Sequence, residues 1–257
     1  MSELIAPQTT VLVLSFNEAP NLARCLDRLG WAPRILLMDS GSTDETLEIA
    51  GRYANVDVVH RPFDSFAGQC NFGLGLIDTP WVLSLDADYE LSQDLVDEIQ
   101  SLRERTAQGY SAAFVYRIHG RPLRGTLYPP RTVLYRRQAA RYRDEGHGHR
   151  VRVAGEVGTL AAPLYHDDRK PLLRWVDSQK HYAQIEADHL LSTPKEALSR
   201  VDRLRLKAWP APLLVFFYTL FRKGAFLDGW AGWYYTLQRV IAECLIALAL
   251  IDRRLAK

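Results

Sequence analysis

Over the first hundred positions, short apolar and β-branched runs alternate with segments of helical periodicity. Residues 10–15 (TVLVLS) read as a strand, residues 19–29 as a helix, and residues 34–38 (RILLM) as a second strand ending at Asp39. In the following SGSTDETLEIAGRYA, Ser42 and Glu45 stand at capping-box spacing, and Leu47, Ile49, Ala50 and Tyr53 occupy apolar helix positions. Residues 56–60 give a third strand, 67–77 a helix weakened by Gly68, Gly73 and Gly75, and 81–85 (WVLSL) a fourth strand ending at Asp86. This alternation implies parallel pairing with right-handed crossovers and a ligand beyond the carboxyl ends of the strands. Asn17, Glu18, Asp39, Asp86 and Asp88 are the polar residues delivered there.

After Tyr110 the pattern changes. Residues 112–118, 132–136, 151–153 and 159–164 read as further strands, and the chain turns helical from Pro171. One long amphipathic segment runs to about Leu191, a second from 194 to 209, and an aromatic-rich tail follows. In that tail Leu237, Ile241, Cys244, Leu248 and Ile251 recur at helical spacing, after Phe216, Phe217, Phe221, Phe226, Trp230, Trp233, Tyr234 and Tyr235. Aromatics beside Arg222 and Lys223 suit the interface of a membrane, or else a helical subdomain or dimer contact. No run reaches the roughly 18 uninterrupted apolar residues of a transmembrane helix, and the N-terminus has no signal-peptide pattern. The expectation is a soluble or membrane-attached protein.

Composition narrows this further. The 257 residues carry 32 Lys+Arg against 30 Asp+Glu, a net charge of +2, with 47% hydrophobic residues, so neither a disordered chain nor a strongly basic nucleic-acid binder is expected. Three cysteines at no metal-ligand spacing cannot all pair, which points to a reducing compartment.

Asp86 and Asp88 flank one residue at a strand end, where two carboxylates can hold Mg²⁺ or Mn²⁺ and leave positions for phosphate oxygens. In the loop after Asp39, Gly41 permits a tight turn, and the amides of the next helix could receive an anion; Ser42 and Glu45 capping that helix is the plainer alternative. Ten arginines against two acids, Asp144 and Glu145, fall between Arg117 and Arg152 inclusive. Guanidinium groups suit a phosphorylated or acidic acceptor, with Arg131 the candidate contact; a solvated basic face is the other reading.

VLVLSFNEAPNLARCL, ILLMDSGSTDETLEIA, FAGQCNFGL and WVLSLDAD, in this order, resemble the family 2 glycosyltransferases, and most closely the bacterial subgroup with lipopolysaccharide core glucosyltransferases. The tail FRKGAFLDGWAGWYY resembles the same subgroup. The resemblance implies a GT-A type, Rossmann-like mixed α/β sheet flanked by helices, with a catalytic domain over 1–168 and a C-terminal helical extension over 169–257. Within the catalytic domain, 8–105 would bind the nucleotide sugar and 106–168 would face the acceptor. It implies an inverting, metal-dependent transfer from a nucleotide-sugar donor, with UDP the expected nucleotide, to a lipid-linked or lipopolysaccharide-core acceptor. The site of action would be the inner face of the cytoplasmic membrane.

Carried onto matching positions, the resemblance gives Asn17, Glu18, Asp39, Gly41, Ser42, Asn71 and Asp86 to the donor. Asp88, with Asp86 and His166, would hold the metal. The base is where the chain departs from the subgroup, which has a His-Glu pair before V-x-V-x-G. Here His149 falls at the position of the glutamate, so His149 and the pair Asp144 and Glu145 both stand as candidates. Two other readings remain in view. A sugar nucleotidyltransferase would need a Gly-rich basic loop after the first strand, which SFNEAPN lacks. A catalytically silent nucleotide-sugar-binding protein is the reading from another class.

Overall fold

The computed structural model describes residues 2–125, 127–145 and 148–256, with side chains described except over residues 144–149. The first apolar runs become β1 (Thr9–Ser15), β2 (Arg34–Asp39), β3 (Val56–His60) and β4 (Trp81–Asp86), alternating with α1 (Leu22–Leu26), α2 (Thr46–Ala50) and α3 (Phe66–Gly75). Next come β5 (Tyr89–Leu91), α4 (Gln93–Ser101), β6 (Gly109–Ala112), β7 (Phe114–Ile118), β8 (Arg121–Pro122), β9 (Arg131–Arg136), β10 (Ala140–Glu145), β11 (Gly148–Val153), β12 (Val157–Thr159) and β13 (Leu164–His166). Helices α5 (Leu172–Ser192), α6 (Arg200–Arg205), α7 (Pro210–Phe217) and α8 (Gly229–Leu255) follow. The chain falls into two units, Met1–Arg117 with Tyr128–Arg169, and Ile118–Leu127 with Lys170–Lys257.

In the first unit, seven strands form one sheet in the order β12-β6-β9-β4-β1-β2-β3. β1 is parallel to β2 and β4, and β2 to β3, as the alternation of elements requires. β9 runs antiparallel to both β4 and β6, which makes the sheet mixed. Ser15 is level with Asp39, and Leu14 with Asp86, so both acids emerge at the same carboxyl edge. Alternate residues serve opposite faces. Val11, Val13, Ile35, Leu37 and Leu83 pack with Leu22 and Leu26 of α1, while Leu12, Leu36, Met38 and Val82 pack with Ala67, Cys70 and Leu74 of α3.

Two smaller assemblies extend this unit. β13 pairs antiparallel with β5 and parallel with β7, and β10 with β11 forms a hairpin. The strand expected over 112–118 is therefore two: β6 belongs to the large sheet and β7 to the small one, with the chain crossing over at Ala113. The capping box expected from Ser42 and Glu45 does not form. α2 starts at Thr46 with Glu45 at its N-cap and no side-chain cap, because the Ser42 hydroxyl is committed to Asp39. Ser65 and Ser92 do cap, accepting from the amides of Gly68 and Leu95 at the starts of α3 and α4.

In the second unit, Ile246, Ala249 and Leu250 of α8 pack with Ala183, Ala187 and Leu190 of α5. Arg205 of α6 reaches Glu243 of α8 at 3.0 Å and Glu186 of α5 at 3.1 Å, an ion-pair set largely removed from solvent. Residues 118–127, expected with the catalytic part, belong here: Arg124 pairs with Asp228 at 3.3 Å, and Gly125 lies against the Lys223 backbone where a Cβ would collide. The segment Ala225–Leu255 is long and apolar enough to cross a membrane, which uninterrupted apolar runs in the sequence did not reveal. Its Glu243 is buried against Arg205, and Ile246, Ala249 and Leu250 pack in the core of its unit, so one face of this helix is a core face.

Candidate active site

Two βα loops at the carboxyl edge are stitched to one another. The Asn17 amide donates to the Ser42 hydroxyl at 2.7 Å, and the Asn17 side-chain oxygen accepts from the amide of Thr43 at 2.7 Å and of Asp44 at 3.3 Å. The Glu18 amide donates to the Thr46 hydroxyl at 2.7 Å, and that of Ala19 to Asp44 at 3.2 Å. Asn17 holds this geometry at φ +53°, a left-handed conformation that asparagine tolerates better than most residues. Gly41, at φ +99°, is the position where the turn needs a glycine.

Asp39 is 1% exposed, and its carboxylate accepts from the amides of Gly41 at 2.9 Å and Ser42 at 3.0 Å and from the Ser42 hydroxyl. His60, at the end of β3, approaches the same carboxylate at 3.6 Å. The amides of residues 41–44 and 46 are thus taken by Asp39, Asn17 and Asp44, and the expectation that they receive an anion is not met. These motif residues first of all shape the loop at the carboxyl edge of the sheet.

The Glu18 carboxylate is held from behind. Asn21, almost fully buried, donates from one side-chain nitrogen to Glu18 at 2.8 Å and to Asp168 at 2.9 Å. Its oxygen accepts from the Arg24 guanidinium at 2.8 Å and the Arg169 amide at 2.9 Å. Arg24 also holds the buried Asp167 carboxylate at 3.1 Å and its carbonyl at 2.9 Å. A continuous polar network therefore ties the first βα loop to the residues just after β13.

That segment begins with His166, whose Nε2 lies 3.2 Å from an Asp88 carboxylate oxygen. The Asp167 amide donates to the Asp88 carbonyl at 3.1 Å, so backbone and side chain both register β13 against the acidic turn. The imidazole lies among aromatic rings, 4.2 Å from Tyr116, 5.6 Å from Phe114 and 5.7 Å from Tyr89 between centroids. Burial alone would hold His166 below its ordinary value; the charge of Asp88 and the hydrogen bond to it outweigh this and carry the pKa upward.

Asp86 turns to Arg131, 3.5 Å away. Asp86, Asp88 and His166 thus do not form one cage, and no three His, Cys, Asp or Glu side chains converge as a metal site among the described residues. The carboxylate and imidazole of Asp88 and His166 nevertheless fit a divalent cation that takes its remaining ligands from phosphate oxygens and water. Between the two ions considered, the nitrogen donor favours Mn²⁺.

Asn71 makes a two-way bond with the backbone of Tyr142, donating at 3.1 Å and accepting at 3.0 Å, which pins the β10–β11 hairpin to α3. In that hairpin Asp144 stands opposite His149, and Glu145 opposite Gly148. The side chains of Asp144, Glu145 and His149, the candidate bases, lie outside the described residues. Tyr89 was not singled out in the sequence, although it directly follows the D-x-D triplet; its hydroxyl meets Arg131. Cys25 and Cys70 are buried, as expected of small apolar residues, and burial pushes the Cys25 thiol up.

With this geometry in place, comparison with known proteins is decisive. Residues 10–166, from β1 to His166, match Glycosyl transferase family 2. The chain belongs to that family. Among curated relatives, the lipopolysaccharide core biosynthesis glycosyltransferase LpsC of Rhizobium meliloti is 25% identical, with 96% of this chain and 93% of that protein covered. An uncharacterized glycosyltransferase of Rickettsia bellii is 26% identical over 76% of this chain and 72% of its own length. In fold, the chain is similar to the mannosyltransferase PcManGT from Pyrobaculum calidifontis, solved with GDP-Man and Mn²⁺, with a TM-score of 0.55, 16% identity, and coverage of 96% and 88% of the two chains. The fold is GT-A, and this family 2 protein is a glycosyltransferase.

Proposed function

We propose that this glycosyltransferase moves a sugar, with inversion, from a nucleotide-sugar donor to a lipid-linked or lipopolysaccharide-core acceptor at a membrane surface. The observation that carries the donor half is the contact between Asp88 and His166 at the edge where β4 and β13 end. Glu18, Asp39 and the loop built on Gly41 and Ser42 face the nucleoside, with Asn17 and Asn71 holding their surroundings in register. UDP is the expected nucleotide. The cation, Mg²⁺ or Mn²⁺, would be held by Asp88 and His166 with Asp86 nearby, and supplies Lewis-acid stabilisation of the diphosphate.

Inversion by single displacement needs a base for the acceptor hydroxyl. We assign that role to the β10–β11 hairpin, through His149 or the pair Asp144 and Glu145. The acceptor assignment draws on LpsC, which is named for lipopolysaccharide core biosynthesis and aligns over nearly the whole chain. It also draws on the aromatic surface of the second unit. Apart from Arg205, which is paired with Glu186 and Glu243, residues 203–227 contain four basic residues and no acid. Rings link Phe217 to Phe221 and Phe221 to Phe226, each pair at 6.1 Å, and Phe216 to Trp233 at 6.2 Å. Trp209 and Trp230 are 72% and 84% exposed. A basic, aromatic surface of this kind suits the anionic interface of a bilayer and supports action at the cytoplasmic side of the membrane.

The test is transfer of radiolabelled sugar to core-containing lipid in the presence and absence of a chelator. Activity is expected to vanish with excess EDTA and return with Mn²⁺. Undiminished transfer in EDTA would refute the metal assignment, and transfer only to water-soluble acceptors would refute the lipid one.

A further inference from the structure

Arg131 opens β9, and its place in the fold follows from strand direction. β9 is antiparallel to β4, with Leu134 opposite Leu83, so the start of β9 arrives at the edge where β4 ends in Asp86. A cation is thereby set among the acids of the carboxyl edge. Its Nη1 bonds the Tyr89 hydroxyl and stands 3.5 Å from Asp86. The guanidinium carbon is 5.5 Å from the centre of the Phe114 ring and 5.7 Å from that of Tyr89.

A guanidinium committed to Asp86 alone would present two parallel N–H groups at closer range. Here the contact is single and long, and a third of the side chain stays open to solvent. Arg131 has three kinds of nitrogen, and only Nη1 is bonded among the described residues. The remaining N–H groups form a rigid fork beside the acidic turn, suited to a pair of phosphate oxygens.

We propose that Arg131 binds the diphosphate of the donor, as a cationic contact additional to whatever Asp88 and His166 hold. This rests on the nucleotide-sugar reading above, and it moves Arg131 from the acceptor to the donor. As the bond from the anomeric carbon to the β-phosphate oxygen breaks, its electron pair passes to that oxygen. The acceptor oxygen bonds to the carbon, and its proton goes to the base. Arg131 meets the negative charge that this step leaves on the terminal phosphate.

The test is calorimetric titration of the full chain, with Mn²⁺, by UDP and UMP in parallel, and by GDP and GMP if the uridine pair does not bind. Arg131→Ala is expected to weaken the diphosphate by about tenfold or more and the monophosphate by less than about twofold, with Arg131→Lys in between. Retained monophosphate binding reports that the variant is folded. Equal loss of both nucleotides, or undiminished diphosphate binding, would overturn the assignment while leaving the donor site standing. A wild-type chain that binds none of the four would instead overturn the donor reading itself.

Discussion

Asn21 uses the full hydrogen-bonding capacity of its side chain, giving to Glu18 and Asp168 and accepting from Arg24 and the Arg169 amide. A buried amide so placed separates two carboxylates that would otherwise repel one another. It also fixes the distance between the first βα loop and the segment after His166. Asn21→Ala leaves four partners short of a bond, and the expected loss of stability is about 1–3 kcal/mol, the cost of unsatisfied buried polar groups. Urea denaturation checks this; an unchanged midpoint would mean that water replaces the amide without loss. Asn17 carries a similar lesson. Its residue type and its place after β1 were readable in the sequence, but its commitment to the 42–44 loop depends on contacts 25 or more positions away.

Among the elements, β1 to β4 were legible because each is a short apolar run ending in a polar residue, and their observed bounds differ from expectation by one residue at most. The same patterns foretold parallel pairing. β5 and the division of β6 from β7 were not legible, since three to five residues give no periodicity and only the second, smaller sheet separates them. The helix expected at 19–29 shrinks to Leu22–Leu26; beyond Asp27 the chain changes to tighter turns, with the Arg28 amide donating to the Cys25 carbonyl and that of Leu29 to the Leu26 carbonyl. Asp88 and His166 were read from type and position alone; that β13 brings them into contact required the fold. Asn71 is one of the tethers of the β10–β11 hairpin, beside the bonds of the Tyr142 hydroxyl to Ser84 and Tyr135. The Tyr142 amide donates to Asn71, so Asn71→Ala should speed its hydrogen exchange by about tenfold, whereas Asn71→Asp, which keeps the acceptor, should change it less. Equal exchange in wild type and Asn71→Ala would show that the hairpin is held by other contacts.

At the scale of the molecule, the two units divide the work. The first carries the edge proposed to bind the donor, and the second presents an aromatic, basic surface without acids from 203 to 227. Trp209 and Trp230 are its most exposed aromatic residues, and replacing both with alanine should weaken co-sedimentation with anionic liposomes by about tenfold, consistent with removing two interfacial side chains. Salt should weaken the wild-type interaction as well. Liposome binding that ignores both changes would exclude this surface, and concentration-dependent self-association lost in the same variant would identify it as a contact between copies.

The edge holding Asp88 and His166 is proposed to bind a nucleoside diphosphate together with a divalent cation. Calorimetric titration with UDP, with and without Mn²⁺, in wild type and Asp88→Asn, tests it most directly. Binding is expected to need Mn²⁺ and to fall by about a hundredfold or more in the variant. UDP binding of equal strength with and without the metal, undisturbed by Asp88→Asn, would contradict it.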